Sequence, residues 1–372
     1  MEKKNLRAII SGGGTGGHIF PAIAIANALR ELNPDVEILF VGAEGRMEME
    51  KVPAAGYKIE GLPVVGLQRR LTTKNLAFPF KLMKSLRLAK RIVKDFNPQI
   101  VVGVGGYASG PVLKTAQRMG IPTLIQEQNS YAGVTNRLLA KKANAICVAY
   151  EGMEKYFPSE KILLTGNPIR QGLNNISPKT DEAHNFFDVP KGSKVILVVG
   201  GSLGARSINH SILSDIDKII ASKGTILIWQ TGKFYIEEIR EKLKGKATAN
   251  IRVNDFINRM DLAYSIADIV ISRAGACTIS ELCMVGKPTI LVPSPNVAED
   301  HQTMNAKALV KKGAAIMVTD ANAPKDLVNE ALKLIDNEGL TIELSNNILS
   351  MALPNAATDI AKKAMSIAMS TA

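Results

Sequence analysis

Residues 11–18 read Ser-Gly-Gly-Gly-Thr-Gly-Gly-His, between an apolar run at 6–10 and a helical pattern that Pro21 opens. The five glycines of this window let the backbone curl tightly and approach a ligand closely. A helix starting there aims its unpaired N–H groups and positive dipole end into the loop. Such a loop suits a diphosphate or a similar polyanion. His18 adds a group that exchanges protons near neutral pH at the mouth of that cradle, and phosphate binding alone does not require it. Gly12, Gly14 and Gly17 also satisfy the dinucleotide pattern G-x-G-x-x-G. That pattern needs an acid closing the second strand to hold a ribose. Here the strand 36–41 is followed by Gly42-Ala43-Glu44, and Glu44 comes late and past a glycine. An oxidoreductase is disfavoured on that ground.

Two more glycine loops follow apolar strands, one at Gly103–Gly110 and one at Gly200–Arg206. Three such loops at strand-to-helix junctions are stronger than any one of them. A further site is spelled by residues 268–281. The strand ends at Ser272, Gly275 makes the turn, and a helix runs through Glu281. The N–H groups around Ala276–Thr278 can take a phosphate. Glu281, about two turns further on, can accept hydrogen bonds from two ribose hydroxyls. Gln302, in Glu299–Ala306, offers donor and acceptor together and suits sugar hydroxyls. Asp215-Ile216-Asp217 matches a metal-binding D-x-D, but it falls inside a helical pattern, where i and i+2 do not share a face. It reads as a solvated helix face, and no essential metal or other cofactor is expected.

The elements that must position these groups alternate along the chain. Strand candidates are 6–10, 36–41, 99–104, 121–125, 144–148 and 161–165, then 194–199, 225–229, 250–253, 268–272, 288–292 and 314–318. Helical patterns at 21–32, 108–119, 205–221, 233–244 and 299–311 separate many of them. This is an α/β chain of parallel sheets covered by helices on both faces. Its 372 residues make two doubly wound domains, 1–169 and 170–353, joined near 166–172. Residues 171–193 are a polar break in the series. The tail, 354–372, reads as an amphipathic helix returning to the first domain. Two such domains place ligands in a cleft between them.

The formal charge of +12 and pI near 9.5 imply an anionic partner. Cys147, Cys277 and Cys283 match no zinc spacing, and the reading is reduced thiols in a cytosolic protein. No signal peptide or membrane span is expected. Between Arg69 and Lys94 lie nine basic residues and no acid, with Leu71, Leu76, Phe78, Phe80, Leu82 and Met83 interleaved. With Lys74, Lys81 and Lys84 among the cations, this reads as an interfacial anchor on anionic lipid. The plainer alternative is a helix whose Leu82, Leu86, Ala89 and Val93 face the core, and both can hold. Nothing resembles a nucleic-acid recognition module.

The set SGGGTGGH (11–18), GGYASGP (105–111), EQN (127–129), GNPIR (166–170), GGSLGAR (200–206), SRAGACTISE (272–281) and EDHQTMNA (299–306) spans the chain in order. It resembles the MurG family of glycosyltransferases. The resemblance implies a GT-B fold of two Rossmann-like domains. It implies transfer of N-acetylglucosamine from UDP-N-acetylglucosamine to the muramyl 4-hydroxyl of lipid I, with inversion, giving lipid II. Ile257 and Met260 would then flank the uracil and Glu281 would hold the ribose. Ser202 and Ala276, Cys277 and Thr278 would hold the diphosphate, with Arg170 nearby. Gln302 and His301, with Asn129, Thr15, Gly16 and Gly17, would read the donor sugar. His301 stands where some members carry Gln, and Cys277 where Leu is common. Gly14, Gly105, Gly106, Tyr107, Ser109 and Gln128 would meet the acceptor. His18 is the candidate base and Glu127 the runner-up. A peripheral place on the cytoplasmic face of the cell membrane, and cell-wall synthesis proteins as partners, are implied too. Another GT-B lipid glycosyltransferase is the alternative, and a non-catalytic UDP-sugar or phospholipid-binding protein would need neither His18 nor Glu127.

Overall fold

The computed structural model describes residues 5–64, 78–169, 172–173, 176–201, 203–297 and 300–370. The chain divides into two compact units, residues 1–170 with 353–372, and residues 171–352.

The first unit runs β1 (Arg7–Ser11), α1 (Gly16–Leu32), β2 (Glu37–Ala43), α2 (Glu48–Ala54), β3 (Lys58–Leu62), α3 (Phe78–Phe96), β4 (Ile100–Gly103), α4 (Ser109–Arg118), β5 (Thr123–Glu127), α5 (Val134–Ala140), β6 (Ala145–Val148) and β7 (Ile162–Leu164). The second runs α6 (Asp181–Phe187), β8 (Lys194–Val199), α7 (Arg206–Ser214), α8 (Ile216–Ala221), β9 (Thr225–Gln230), α9 (Ile236–Leu243), β10 (Ile251–Asn254), α10 (Met260–Ile266), β11 (Ile269–Ser272), α11 (Ala276–Val285), β12 (Thr289–Leu291), α12 (His301–Val310), β13 (Ile316–Met317), α13 (Ala323–Asp336) and α14 (Glu338–Leu349). The chain then returns to the first unit as α15 (Ala356–Ser370).

Among the described residues the first sheet has the order β3-β2-β1-β4-β5-β6-β7 and the second β10-β9-β8-β11-β12-β13. Every pairing is parallel. Each unit is thus doubly wound, with its first strand flanked by strands that lead away in opposite directions. The loops that leave the carboxyl ends beside that strand form the place where such folds hold ligands.

The central strands are apolar because both faces are covered. Ile9 and Ile10 are fully buried on opposite faces of β1, as are Leu197 and Val198 on β8. On one face of the first sheet, α1 buries Ile19, Ala22, Ile25, Ala26 and Leu29 in a cluster that also takes Ile360, Ala361, Ala364 and Ile367 of α15. The alanines let the two helices approach closely. The isoleucines of α15 each contribute about 1.5–3 kcal/mol by leaving water, which fixes the tail to this unit.

Four local expectations are corrected. An unanticipated strand, β3, pairs with β2 at the sheet edge, where its half-exposed sequence KIEGL carries no apolar run. The first helix begins at Gly16, not Pro21, which lies inside it. The pattern 205–221 breaks at Asp215 into α7 and α8, and Asp215 and Asp217 pair with Lys218 and Lys246. The polar stretch 171–193 contains α6, whose cap Thr180 accepts from the Ala183 N–H at 3.2 Å.

Candidate active site

In the first unit, Gly14, Thr15 and Gly17 are exposed at the start of α1, and Gly16 and His18 are half-buried there. Thr15 caps the helix in an extended conformation and its Oγ1 lies 3.3 Å from His18 Nδ1. The imidazole lies over the second glycine loop. A Cβ at Gly105 would come within 2.8 Å of His18 Nε2, and both Gly105 and Gly106 have positive φ, so only glycine lets this approach happen. The structure therefore brings His18, Thr15, Gly105 and Gly106 together, with Tyr107 57% exposed beside them.

Other residues assigned to ligands are turned inward. Ser109 donates its hydroxyl to the Gly106 carbonyl at 2.9 Å. Gln128 donates its amide to the Val104 carbonyl at 2.8 Å and to Gln126 Oε1, and Asn167 donates to the Gln128 carbonyl at 3.0 Å. This buried amide chain shapes the loops rather than presenting side chains at their surface. Glu127, 2% exposed, accepts at Oε1 from the Asn129 N–H and Nδ2, and at Oε2 from the Gly133 N–H and Asn136 Nδ2, at 2.8–3.4 Å. Burial pushes its carboxyl above the usual range, against the pull of those hydrogen bonds. Glu127 therefore binds the turn after β5 and holds half-buried Asn129 in place.

One cradle N–H is not available to an anion. Gly14 donates its N–H to Glu48 Oε2 at 2.9 Å, and Glu48 is completely buried. Glu48 has no local sequence signature of its own; Gly13 and Gly42, which make room for it, are its only trace in the sequence.

In the second unit, α11 starts after Gly275, so Ala276, Cys277 and Thr278 form its first turn, half-buried, with their N–H groups at a helix N-terminus of ten residues. Glu281, 7% exposed, follows on the same helix and accepts from the buried Tyr264 hydroxyl at 3.1 Å. Ile257 and Met260 are buried. His301 and Gln302 open α12, half-buried, and Gln302 Oε1 accepts the Ser294 N–H at 2.9 Å. Arg170, Ser202, Lys74 and Leu76 lie outside the described residues, as do the side chains of Phe78 and Phe80.

Three bracing residues here are also not marked by any sequence motif. Gln230, at the end of β9, donates to the Gly201 carbonyl at 3.0 Å and accepts the Ile257 N–H at 2.9 Å, so one amide ties two loops together. Arg273 donates to Asp320 at 2.5 Å, Ser207 at 2.8 Å, and the Val292 and Pro293 carbonyls at 3.0 and 3.2 Å. That set spends its charge on the loops and not on a ligand. Tyr264 is the third. Of the three, only Gln230 carries a sequence signal, a polar residue closing an otherwise apolar strand.

On α3, Ala89, Ile92 and Val93 are buried, while Lys81, Leu82, Met83 and Lys84 are exposed. Leu82, read as core-facing under the plainer alternative, is 37% exposed. No helix among the described residues is long and apolar enough to cross a membrane.

Residues 8–148 match the glycosyltransferase family 28 N-terminal domain and residues 195–363 the C-terminal domain of that family. The UDP-N-acetylglucosamine--N-acetylmuramyl-(pentapeptide) pyrophosphoryl-undecaprenol N-acetylglucosamine transferase of Parabacteroides distasonis is 58% identical over 364 residues, 98% of this chain and 99% of that one. The protein of the same name from Phocaeicola vulgatus is 58% identical over 98% of this chain and 97% of its own. Among solved structures, MurG of Acinetobacter baumannii superposes with a TM-score of 0.79 at 29% identity, covering 97% of this chain and 99% of that chain.

Proposed function

The chain belongs to the MurG branch of glycosyltransferase family 28, and we infer that it moves N-acetylglucosamine from UDP-N-acetylglucosamine to lipid I, the undecaprenyl-diphospho-muramyl-pentapeptide, giving lipid II. The observation that carries this is identity of 58% with transferases of that name over nearly the whole length of both chains.

In this reading the muramyl 4-hydroxyl attacks C1 of N-acetylglucosamine, the bond from C1 to the UDP oxygen breaks, and UDP departs with the electron pair. His18 takes the hydroxyl proton. An imidazole is suited to that step, and its half-buried ring at the exposed start of α1 supports the assignment. Negative charge grows on the departing diphosphate, and the first turn of α11 is placed to meet it. Glu281 holds the ribose, with one carboxylate oxygen oriented by Tyr264. Gln302 reads the donor sugar through its NH2 side, since Ser294 occupies its carbonyl. No metal is assigned a role. The exposed Lys81, Met83 and Lys84 of α3 support a peripheral seat on an anionic membrane, where the lipid acceptor resides.

The test is transfer of radiolabelled N-acetylglucosamine from UDP to a short-chain lipid I analogue in the presence of EDTA. Transfer supports donor, acceptor and metal independence together. Donor binding without transfer, unrelieved by magnesium, would overturn the acceptor assignment and point to another lipid glycosyltransferase.

A further inference from the structure

We propose that Glu48 is the positioning residue of the first glycine loop and, through that loop, of His18. The proposal rests on the reading of His18 as the base.

Glu48 opens α2 and is completely buried. Its Oε1 accepts the Ala43 N–H at 2.9 Å and its Oε2 the Gly14 N–H at 2.9 Å. One carboxylate therefore bridges the end of β2 and the loop that follows β1. Two glycines make room for it. A Cβ at Gly42 would come within 2.5 Å of Glu48 Cγ, and a Cβ at Gly13 would overlap the carboxylate itself. The far side of the loop is equally tight, since a Cβ at Gly106 would overlap the Gly13 carbonyl. Gly13 is thus held between the second glycine loop and the Glu48 carboxylate. Gly14, with φ of +87°, turns the chain directly into Thr15. Thr15 caps α1 and stands 3.3 Å from His18 Nδ1. The ring has little room to adjust by itself, because the Gly105 backbone lies against its other edge. A loop displaced by a fraction of an ångström therefore displaces the imidazole, and proton transfer falls off steeply with such errors.

The residue type matters as well as the shape. Two N–H donors need two acceptor oxygens, which a carboxylate has and a carboxamide lacks. Glu48→Gln must point its NH2 at either Ala43 or Gly14, so one donor faces another. Glu48→Asp keeps both oxygens but is one methylene too short to reach both donors. Neither substitution touches the second unit, where the UDP part of the donor is held in the proposed mechanism.

The experiment is a double-mutant cycle on the full-length enzyme, with UDP-N-acetylglucosamine and a short-chain lipid I analogue. Glu48→Gln is expected to lower kcat by about 10- to 100-fold, the worth of one charge-assisted hydrogen bond, with the KM for donor within about twofold. Combined with His18→Ala, it should slow the enzyme no further than His18→Ala alone, because a residue acting only through the base has nothing left to position. Glu50→Gln, on the exposed face of the same helix, should match wild type. Should Glu48→Gln not fold, Glu48→Asp carries the same expectation. Losses that multiply in the double variant would overturn this proposal and leave the base assignment standing. Wild-type turnover in His18→Ala would remove both.

Discussion

Glu127→Gln separates two roles that a carboxylate at the end of β5 can have. Its oxygens accept from four donors, the Asn129 N–H at 3.1 Å and Nδ2 at 3.4 Å on Oε1, and the Gly133 N–H at 3.0 Å and Asn136 Nδ2 at 2.8 Å on Oε2. Glutamine keeps the shape but turns one oxygen into a donor of two hydrogens. With the remaining oxygen at the Oε1 position, both Asn129 bonds survive. The new NH2 then faces Asn136, whose own Oδ1 is buried and has no hydrogen-bond partner among the described residues. Half a turn of that amide converts it from donor to acceptor. The Gly133 N–H has no such escape and is left facing a donor. An orphaned buried N–H costs about 1–3 kcal/mol. Loss of a carboxylate whose ionised form burial already disfavours offsets part of that. A net loss of about 1–2 kcal/mol lowers the melting of the first unit by roughly 2–8 °C, while turnover falls less than about tenfold because Asn129 keeps its anchor. A base removed would instead cost about 10²–10⁴ in turnover. Calorimetry and steady-state transfer on the same preparation decide between them. A hundredfold loss of kcat with unchanged melting would refute the bracing role and make Glu127, the runner-up, the base.

Three other outcomes follow from the geometry. Tyr264→Phe deletes the hydroxyl that orients Glu281, and should weaken UDP binding by about 3- to 10-fold at little cost in fold, since one hydrogen bond is worth about 0.5–1.5 kcal/mol; titration calorimetry with UDP would expose an error as unchanged affinity. Lys287 donates to the Ala267 carbonyl at 2.7 Å, and burial pushes its ammonium down to about 8 against the pull of Asp268. The folded state thus releases this proton near pH 8 and the unfolded chain near 10.5. The penalty for the buried charge is full below pH 8 and lifts as pH rises through that window. Wild type should therefore gain up to about 3 kcal/mol on Lys287→Met between pH 8 and 10.5 in urea titrations, and a pH-independent gap would contradict this. Reversing Lys81 and Lys84 to Glu should weaken binding to anionic vesicles by roughly thirtyfold or more, at about 1 kcal/mol per cation, without affecting UDP binding; unchanged vesicle partition would exclude α3 as the membrane seat.

Which parts of the fold were legible follows from where apolar groups had to go. A parallel strand covered on both faces must be continuously apolar, so β1, β4, β8 and β11 announce themselves. The edge strand β3 has one neighbour, β2, and half-exposed residues, and it reads as loop. The start of α1 was hidden because its first residues are glycines, the weakest ordinary helix formers, and its cap makes no side-chain hydrogen bond. Tertiary contacts with the second glycine loop and Glu48 hold what local propensity would not.

The same physics governs the site. A glycine-rich turn at a strand end is a local signal, and it located the loops after β1, β4 and β8 together with the helix start at Ala276. What each loop can do depends on where its N–H and C=O groups are spent, and that is settled by residues distant in sequence. Glu48 reaches Gly14 across 34 positions, Gln128 reaches Val104 across 24, and Gln230 reaches Gly201 across 29. No spacing rule links such pairs, because they meet only once the sheet has formed. The loops after β1 and β8 look alike in sequence, yet they differ in what stands behind them. Behind the first is a buried carboxylate that takes a backbone N–H and disfavours a diphosphate. Behind the second is a neutral amide that donates to a carbonyl. This difference supports the proposed division, in which the first loop positions His18 and the second lies nearer the donor diphosphate. Local glycine patterns alone would have assigned both to phosphate.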